Sequence, residues 1–151
     1  GLADWVIGAL WAEGVIAEVA LFAVSGRAVA KFGPLGLLGL AAVAGIVRWT
    51  VLGFATGLGA LIMVQWLHAF TFGATHLAMM HFIARRVRPE HAATAQSLYS
   101  SPAMGIVMGL AMTTAGWLYA GHGGNAFFAM IALSAAGGLI ALGLARAAGK
   151  R

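Results

Sequence analysis

The sequence contains no cysteine, only three prolines and only four acidic residues, and just 9% of its 151 residues are charged. Without cysteine there can be no disulfide and no thiolate metal site, and cysteine usage says nothing about the redox compartment. A soluble domain carries about 25% charged residues, so these charges are too few to cover a water-facing surface. What is present points the same way. Residues of the AVILMFWYC set make up 62% of the chain before its 22 glycines are counted, against about 45–50% with glycine included in a soluble average. So apolar a chain is not disordered, and at this length it cannot hide its apolar surface inside one soluble core. The expected class is an all-α, polytopic membrane helix bundle. The alternation of a β-barrel strand over about ten residues is missing from its apolar runs.

A membrane-spanning helix needs about 20 mostly apolar residues, and five segments supply them, at about 5–24, 35–54, 60–84, 103–118 and 126–144. The fourth helix is expected to begin earlier, near Glu90. Breakers separate the segments: Ser25-Gly26, Gly33-Pro34, Gly57-Leu58-Gly59, Arg88-Pro89 and the run Gly121 to Asn125. The formal net charge of +5 would suit nucleic acid, but its placement does not. Arg27 and Lys31, then Arg85, Arg86 and Arg88, then Arg146, Lys150 and Arg151 all fall in alternate connections, and the opposite connections hold no Lys or Arg. By the positive-inside rule those basic connections and the C-terminus are cytoplasmic, and the protein sits in the cell's inner (plasma) membrane. The charge is a topology signal and not a nucleic-acid footprint. An odd number of spans entering from the outer face is expected of a piece of a longer protein whose preceding part is absent. No internal repeat is evident.

Ionisable groups inside a bilayer are costly and usually face a partner or a wet cavity. Glu13 and Glu18 lie in the first span and Arg48 in the second. The third adds Gln65, His68, Thr71, Thr75 and His76, and Gln96 and Tyr99 stand before the fourth. At about 1.5 Å per residue, Glu13, Arg48 and His68 fall at one depth, about 3–6 Å outward of the midplane, and Glu18 falls nearer His76. Glu18 shares a helix face with Gly14, Phe22 and Ser25, whereas Glu13, about 140° away, shares one with Ala9, Ala17 and Ala20. His68, Thr71, Thr75 and His76 form one broad stripe, as a wetted pathway would; the alternative is an interhelical hydrogen-bond set that only holds the bundle together. Glutamate and histidine change charge as protons move, so such a group around a cavity can couple protonation to the binding of a polar solute.

Other chemistries fit less well. A two-haem cytochrome needs histidine pairs on two helices, and His68 with His81 is the one pair 13 apart. The HExxH of a zinc protease is absent. No metal, no cofactor and no enzymatic activity are expected. The small-residue motif Gly105-x-x-x-Gly109 is weak in so glycine-rich a chain, and Pro102 is placed to kink the fourth helix.

The strings Gly14-Val-Ile-Ala-Glu18, Val47-Arg48-Trp49, Gln65-Trp-Leu-His68 with Thr71-Phe72, His76-Leu-Ala and Ala95-Gln96-Ser-Leu-Tyr99-Ser100 occur in that order. Together, over nearly the whole chain, they resemble the 3-phenylpropionate permease-like members of the major facilitator superfamily, relatives of the lactose permease and the nucleoside:proton symporters. The resemblance implies a twelve-helix transporter, of which this chain would be helices eight to twelve. It implies positions around the central cavity for Glu18, Arg48, Gln65 and His68, with Thr71 where the lactose permease has a proton-coupling acid. It implies alternating access, with Arg48 holding a carboxylate or other polar group, His68 and Gln65 hydrogen-bonding it, Glu18 exchanging a proton and Gln96 and Tyr99 lining an inner vestibule. The expected partners are the lipid bilayer, the missing N-terminal half, a small organic solute such as an aromatic acid, and protons. Glu13, where the group usually has an uncharged residue, remains a second proton candidate: depth favours it as the partner of Arg48, and motif favours Glu18. The alternative functions are a non-transporting structural or sensory membrane module and an exporter of the same superfamily.

Overall fold

The computed structural model describes residues 2–55 and 57–148. Lys150 and Arg151, expected to mark the cytoplasmic end, lie outside the described residues. All regular structure among the described residues is helical. Helix α1 spans Asp4–Ala23, α2 spans Ser25–Phe54, α3 spans Leu58–Gln65 and α4 spans Thr75–Arg86. Helices α5, Pro89–Ser101, and α6, Met108–His122, are followed by α7, Phe127–Ala148. Two π-helical segments, Ala69–Ala74 and Pro102–Val107, join α3 to α4 and α5 to α6. A 3-10 turn, Gly123–Ala126, leads into α7.

Four helical stretches are long and apolar enough to cross a membrane: Asp4–Ala23, Ser25–Phe54, Leu58–Arg86 and the 60-residue stretch Pro89–Ala148. The last of these runs through both of the final two expected spans. Its break is the 3-10 turn, where Gly123 has φ 55° and ψ −136°, a backbone state that side chains with a Cβ rarely adopt. Beyond the turn α6 and α7 face each other across an apolar cleft of about 750 Å³. The connection between the first two spans is also helical: α2 begins at Ser25, and the kink that separates Arg27 and Lys31 from the apolar run is Gly33, at φ 64°, followed by Pro34.

Helix α2 is the centre of the bundle. It packs on α7, on α4 and on the first π segment, while α1 leans on that segment and on α3. The buried positions of α2 from Leu37 through Ala41, Ala44 and Gly45 to Arg48 recur at helical spacing, which gives it one continuous inner stripe. Val29 and Leu37 of α2 meet Ala74 and Ala78 in a buried apolar cluster. Small residues set the helix separation. A Cβ on Gly138 of α7 would stand 2.9 Å from the Ala42 methyl, and one on Gly45 would stand 2.5 Å from Ser134 Oγ. Outward, large apolar side chains are bare: Trp5 is 77% exposed, Trp117 72% and Leu139 70%. That inversion of the soluble pattern is stable where the surroundings are hydrocarbon, with the backbone polar groups satisfied inside helices. The chain is therefore a multi-pass membrane protein in contact with lipid.

Candidate functional site

Helix α2 ends its buried stripe on a charge. Arg48 is only 9% exposed, and its guanidinium is held against the α3 to α4 connection. Nη1 donates to Thr71 Oγ1 at 3.0 Å and lies 2.8 Å from His68 Nδ1, and Nη2 donates to Gln65 Oε1 at 3.0 Å. The guanidinium carbon also lies 5.0 Å from the centre of the neighbouring Trp49 ring, a cation–π distance. Arginine offers only donors, so His68 Nδ1 must accept, and the imidazole hydrogen then sits on Nε2. Nε2 in turn lies 2.6 Å from Glu18 Oε1 on α1. A cation, a neutral imidazole and a carboxylate thus form one hydrogen-bonded chain across three helical segments. The Glu18 and His68 side chains are 13% and 26% exposed, so both charged ends are largely enclosed and the imidazole between them is the most accessible member. Pairing the two charges lowers the cost of keeping either in a low-dielectric setting.

Local backbone structure brings these groups together. Gly14 lies one turn before Glu18, and a Cβ there would sit 3.3 Å from the His68 ring; the absent side chain lets the imidazole lie flat against α1. Gly73 does the same for the carboxylate stem, since its Cβ would sit 3.7 Å from Glu18 Cγ and 3.2 Å from Leu21 Cδ2. The π segment starts directly after His68. Threonines within it and just after it bond to backbone carbonyls, Thr71 Oγ1 donating to His68 O at 3.3 Å and Thr75 Oγ1, at the start of α4, to Thr71 O at 3.0 Å. Such π insertions are frequent at functional sites.

The expected polar stripe of the third span is divided. Thr71 and Thr75 line a cleft of about 350 Å³ between α2 and α7, beside Trp49 and Ser134. His68 and His76 instead turn to α1. A π turn holds one residue more than an α turn, so it shifts the angular register that a 3.6-residue period assumes. The His68, Phe72 and His76 rings stack in sequence, His68 to Phe72 at 5.8 Å and 11° and Phe72 to His76 at 6.3 Å and 2°. Phe22 of α1 meets His76 edge-on at 6.3 Å. His76 Nδ1, Arg48 Nε and His81 Nε2 are buried without a partner among the described residues.

Of the sequence candidates, the structure brings together Glu18, Arg48, Gln65, His68 and Thr71, with His76 at the edge of the set. Glu13 is half-buried and makes no side-chain hydrogen bond or ion pair among the described residues. Depth alone favoured it. Side chains on a helix lean toward its N-terminus, and Glu18 reaches back to His68 at 2.6 Å. Gln96 and Tyr99 are half-buried on α5, whose neighbours are the π segment that follows it and α4 before it, and neither side chain bonds to the Arg48 group. Gly14, Gly73 and Phe72 were not singled out as site residues. The one-turn spacing of Gly14 and Glu18 was the available signal. No group of three or more histidine, aspartate or glutamate side chains among the described residues is arranged to hold a metal ion.

The family description "MFS_1 like family" matches residues 1–130. The chain is 39% identical over 137 residues to a protein of Escherichia coli (strain K12) described as "Probable 3-phenylpropionic acid transporter", covering 89% of this chain and 36% of that relative. It therefore spans about a third of the relative's length. No solved structure matches it. With the ordered motifs, the helical architecture and these two matches in agreement, the chain belongs to the MFS_1-like family, as a 3-phenylpropionate permease-like member of the major facilitator superfamily.

Proposed function

We propose that the full-length protein carrying this chain is a secondary transporter, not an enzyme, that moves a small organic acid together with protons by alternating access, and that it lies in the inner membrane with its C-terminus in the cytoplasm. The observation that supports this reading is the largely enclosed hydrogen-bonded chain from Arg48 through His68 to Glu18. Arg48 donates to three acceptors, and a solute carboxylate can replace His68 and Gln65 at its planar fork. The anion then cancels the positive charge that otherwise keeps Glu18 ionised, and His68 loses the bond that fixes its tautomer. Anion binding and proton uptake at Glu18 become mutually favourable, as linkage between two sites requires. Both ligands enter together, which is symport. The resemblance assigns Gln96 and Tyr99 to the inner vestibule, and the aromatic acid is taken from the relative's description.

The test is uptake of radiolabelled 3-phenylpropionate by the full-length protein in vesicles under an imposed proton gradient. Gradient-driven accumulation is expected, with loss in both Glu18→Gln and Arg48→Ala. Normal accumulation by both variants would end the assignment, and outward flux against the expected direction would identify an exporter.

A further inference from the structure

The cleft of about 350 Å³ between α2 and α7 lies on the side of the third span away from Glu18, and the transport chemistry leaves it unused. Its hydroxyls are already spent on backbone carbonyls: Thr71 on His68, Thr75 on Thr71 and Ser134 on Met130, the last at 2.8 Å. Walls with no free donor suit a hydrocarbon chain and not a carboxylate. Val43 of α2 and Leu133, Leu139 and Ile140 of α7 stand bare in or beside the cleft, as side chains that meet lipid do.

The cleft leads to a basic end. Helices α2 and α7 run antiparallel, Gly53 against Gly124, Gly45 against Ser134 and Ala42 against Gly138, and the cleft carries that register on to Leu38 and Leu144. Arg146, just past Leu144, is then level with the kink at Gly33. Lys31 lies two turns before Leu38 and Arg27 one turn before Lys31, spacings that keep one helix face. The kink preserves that facing, since Val29 and Leu37, on either side of it, pack into the same buried cluster. These cations have no acid to answer them. Asp4, Glu13 and Glu18 are on α1, Glu90 is paired with Arg88 at 2.6 Å, and α2 and α7 contain no acidic residue. Arg27, Lys31 and Arg146 are exposed and form no ion pair among the described residues.

We propose that the α2–α7 cleft is a binding site for an anionic phospholipid, with one acyl chain in the cleft and the phosphate on Lys31 and Arg27. Basic residues at the end of an interhelical groove attract such headgroups, and the phosphate accepts charge-assisted hydrogen bonds from both side chains. Arg146 adds positive potential at the same level. From Leu144 to Ser134 the cleft runs about 15 Å along α7, the depth of one leaflet of a roughly 30 Å hydrocarbon core. Its inner end is Thr71, whose hydroxyl accepts from Arg48 Nη1, so the chain buttresses the wall against which Arg48 is held. The site does not depend on the transport reading.

The test is native mass spectrometry of the full-length protein in neutral detergent, with phosphatidylglycerol and with phosphatidylcholine of identical acyl chains. Phosphatidylglycerol should bind in preference, and Arg27→Gln combined with Lys31→Gln should weaken its binding about tenfold or more. Arg85→Gln combined with Arg86→Gln removes the same charge from the end of α4 and should leave that binding within about twofold. Gly137→Leu, which extends a side chain into open space in the cleft, should displace the lipid with every charge kept. Glycerol 3-phosphate, the head without the tail, should not compete, which tests the cleft even if Gly137→Leu fails to fold. Equal binding of the two lipids, equal losses in the two paired variants, full binding to folded Gly137→Leu, or displacement by glycerol 3-phosphate would overturn the proposal. Displacement by 3-phenylpropionate would also overturn it, by making the cleft a solute site.

Discussion

At the scale of single residues, the site depends on two features that a chemical inventory of side chains passes over. The first is what glycine omits. His68 is tied at one nitrogen to Arg48 and at the other to Glu18, so it can give way to a methyl group 3.3 Å from its ring only by straining those two bonds. Gly14→Ala is therefore expected to displace the imidazole by a few tenths of an ångström and lower uptake severalfold, at an overpacking cost of about 1–3 kcal/mol. Gly8→Ala is the control on the same helix, since a Cβ there meets nothing within 4 Å, and it should leave uptake unchanged. Thermal unfolding measured alongside transport separates displacement from misfolding. The second feature is the fork of Arg48. Its two terminal nitrogens reach Gln65, His68 and Thr71 at once, and a lysine ammonium is a point charge that cannot span those directions. Loss of even one charge-assisted bond, about 1.5–3 kcal/mol, predicts a fall in uptake of about tenfold or more in Arg48→Lys, although the charge is kept. Uptake within twofold of the unmodified protein would show that charge alone matters.

At the scale of helices, α2 and α7 approach through small residues, and two neighbouring glycines of α7 separate packing from propensity. A Cβ on Gly138 collides with the Ala42 methyl at 2.9 Å, whereas one on Gly137 meets nothing within 4 Å. Gly138→Ala should lower the unfolding temperature of the full-length protein in detergent. Gly137→Ala should leave it unchanged or raise it, because alanine favours a helix by about 1 kcal/mol over glycine. Equal effects would mean that α2 and α7 are not pressed together there. This scale also shows how much was legible in the sequence. Apolar runs gave the helical membrane-bundle class, because membrane length and backbone satisfaction leave few other solutions. Glu18 shared its helix face with Gly14 and Phe22 on paper, and in the structure all three meet the same segment, since a regular α-helix keeps its angular period. Where the ladder changes, that logic fails. The π segment after His68 divides the polar stripe, and no local residue pattern announces it. The π segment that begins at Pro102 has a visible cause, a missing N–H that breaks the i to i−4 ladder. The helix through Arg27 and Lys31 escaped notice because Gly33-Pro34 reads as a simple connection, when the left-handed glycine in fact joins two helical pieces.

At the scale of the whole molecule, the asymmetry of charge and the position of the site are two views of one arrangement. Arg27 and Lys31 near the start of α2, Arg85 and Arg86 at the end of α4, Arg88 just beyond it and Arg146 near the end of α7 are the basic residues of the described chain other than Arg48. They sit where alternate helices start or stop. The opposite helix ends, around Gly57 and the turn Gly123–Ala126, carry none. Arg48 and His68 lie closer to those uncharged ends along the helical stretches Ser25–Phe54 and Leu58–Arg86. If the basic ends face the cytoplasm, the Arg48 and His68 group lies in the outer half of the membrane. The chain has no cysteine of its own, so sidedness can be read by single substitutions in a cysteine-free full-length background. Exposed Arg88→Cys should react with a membrane-impermeant maleimide only in inside-out vesicles, and exposed Asn125→Cys only in intact cells or right-side-out vesicles. Reversed labelling of the pair would turn the protein over in the membrane and put the Arg48 and His68 group in its cytoplasmic half.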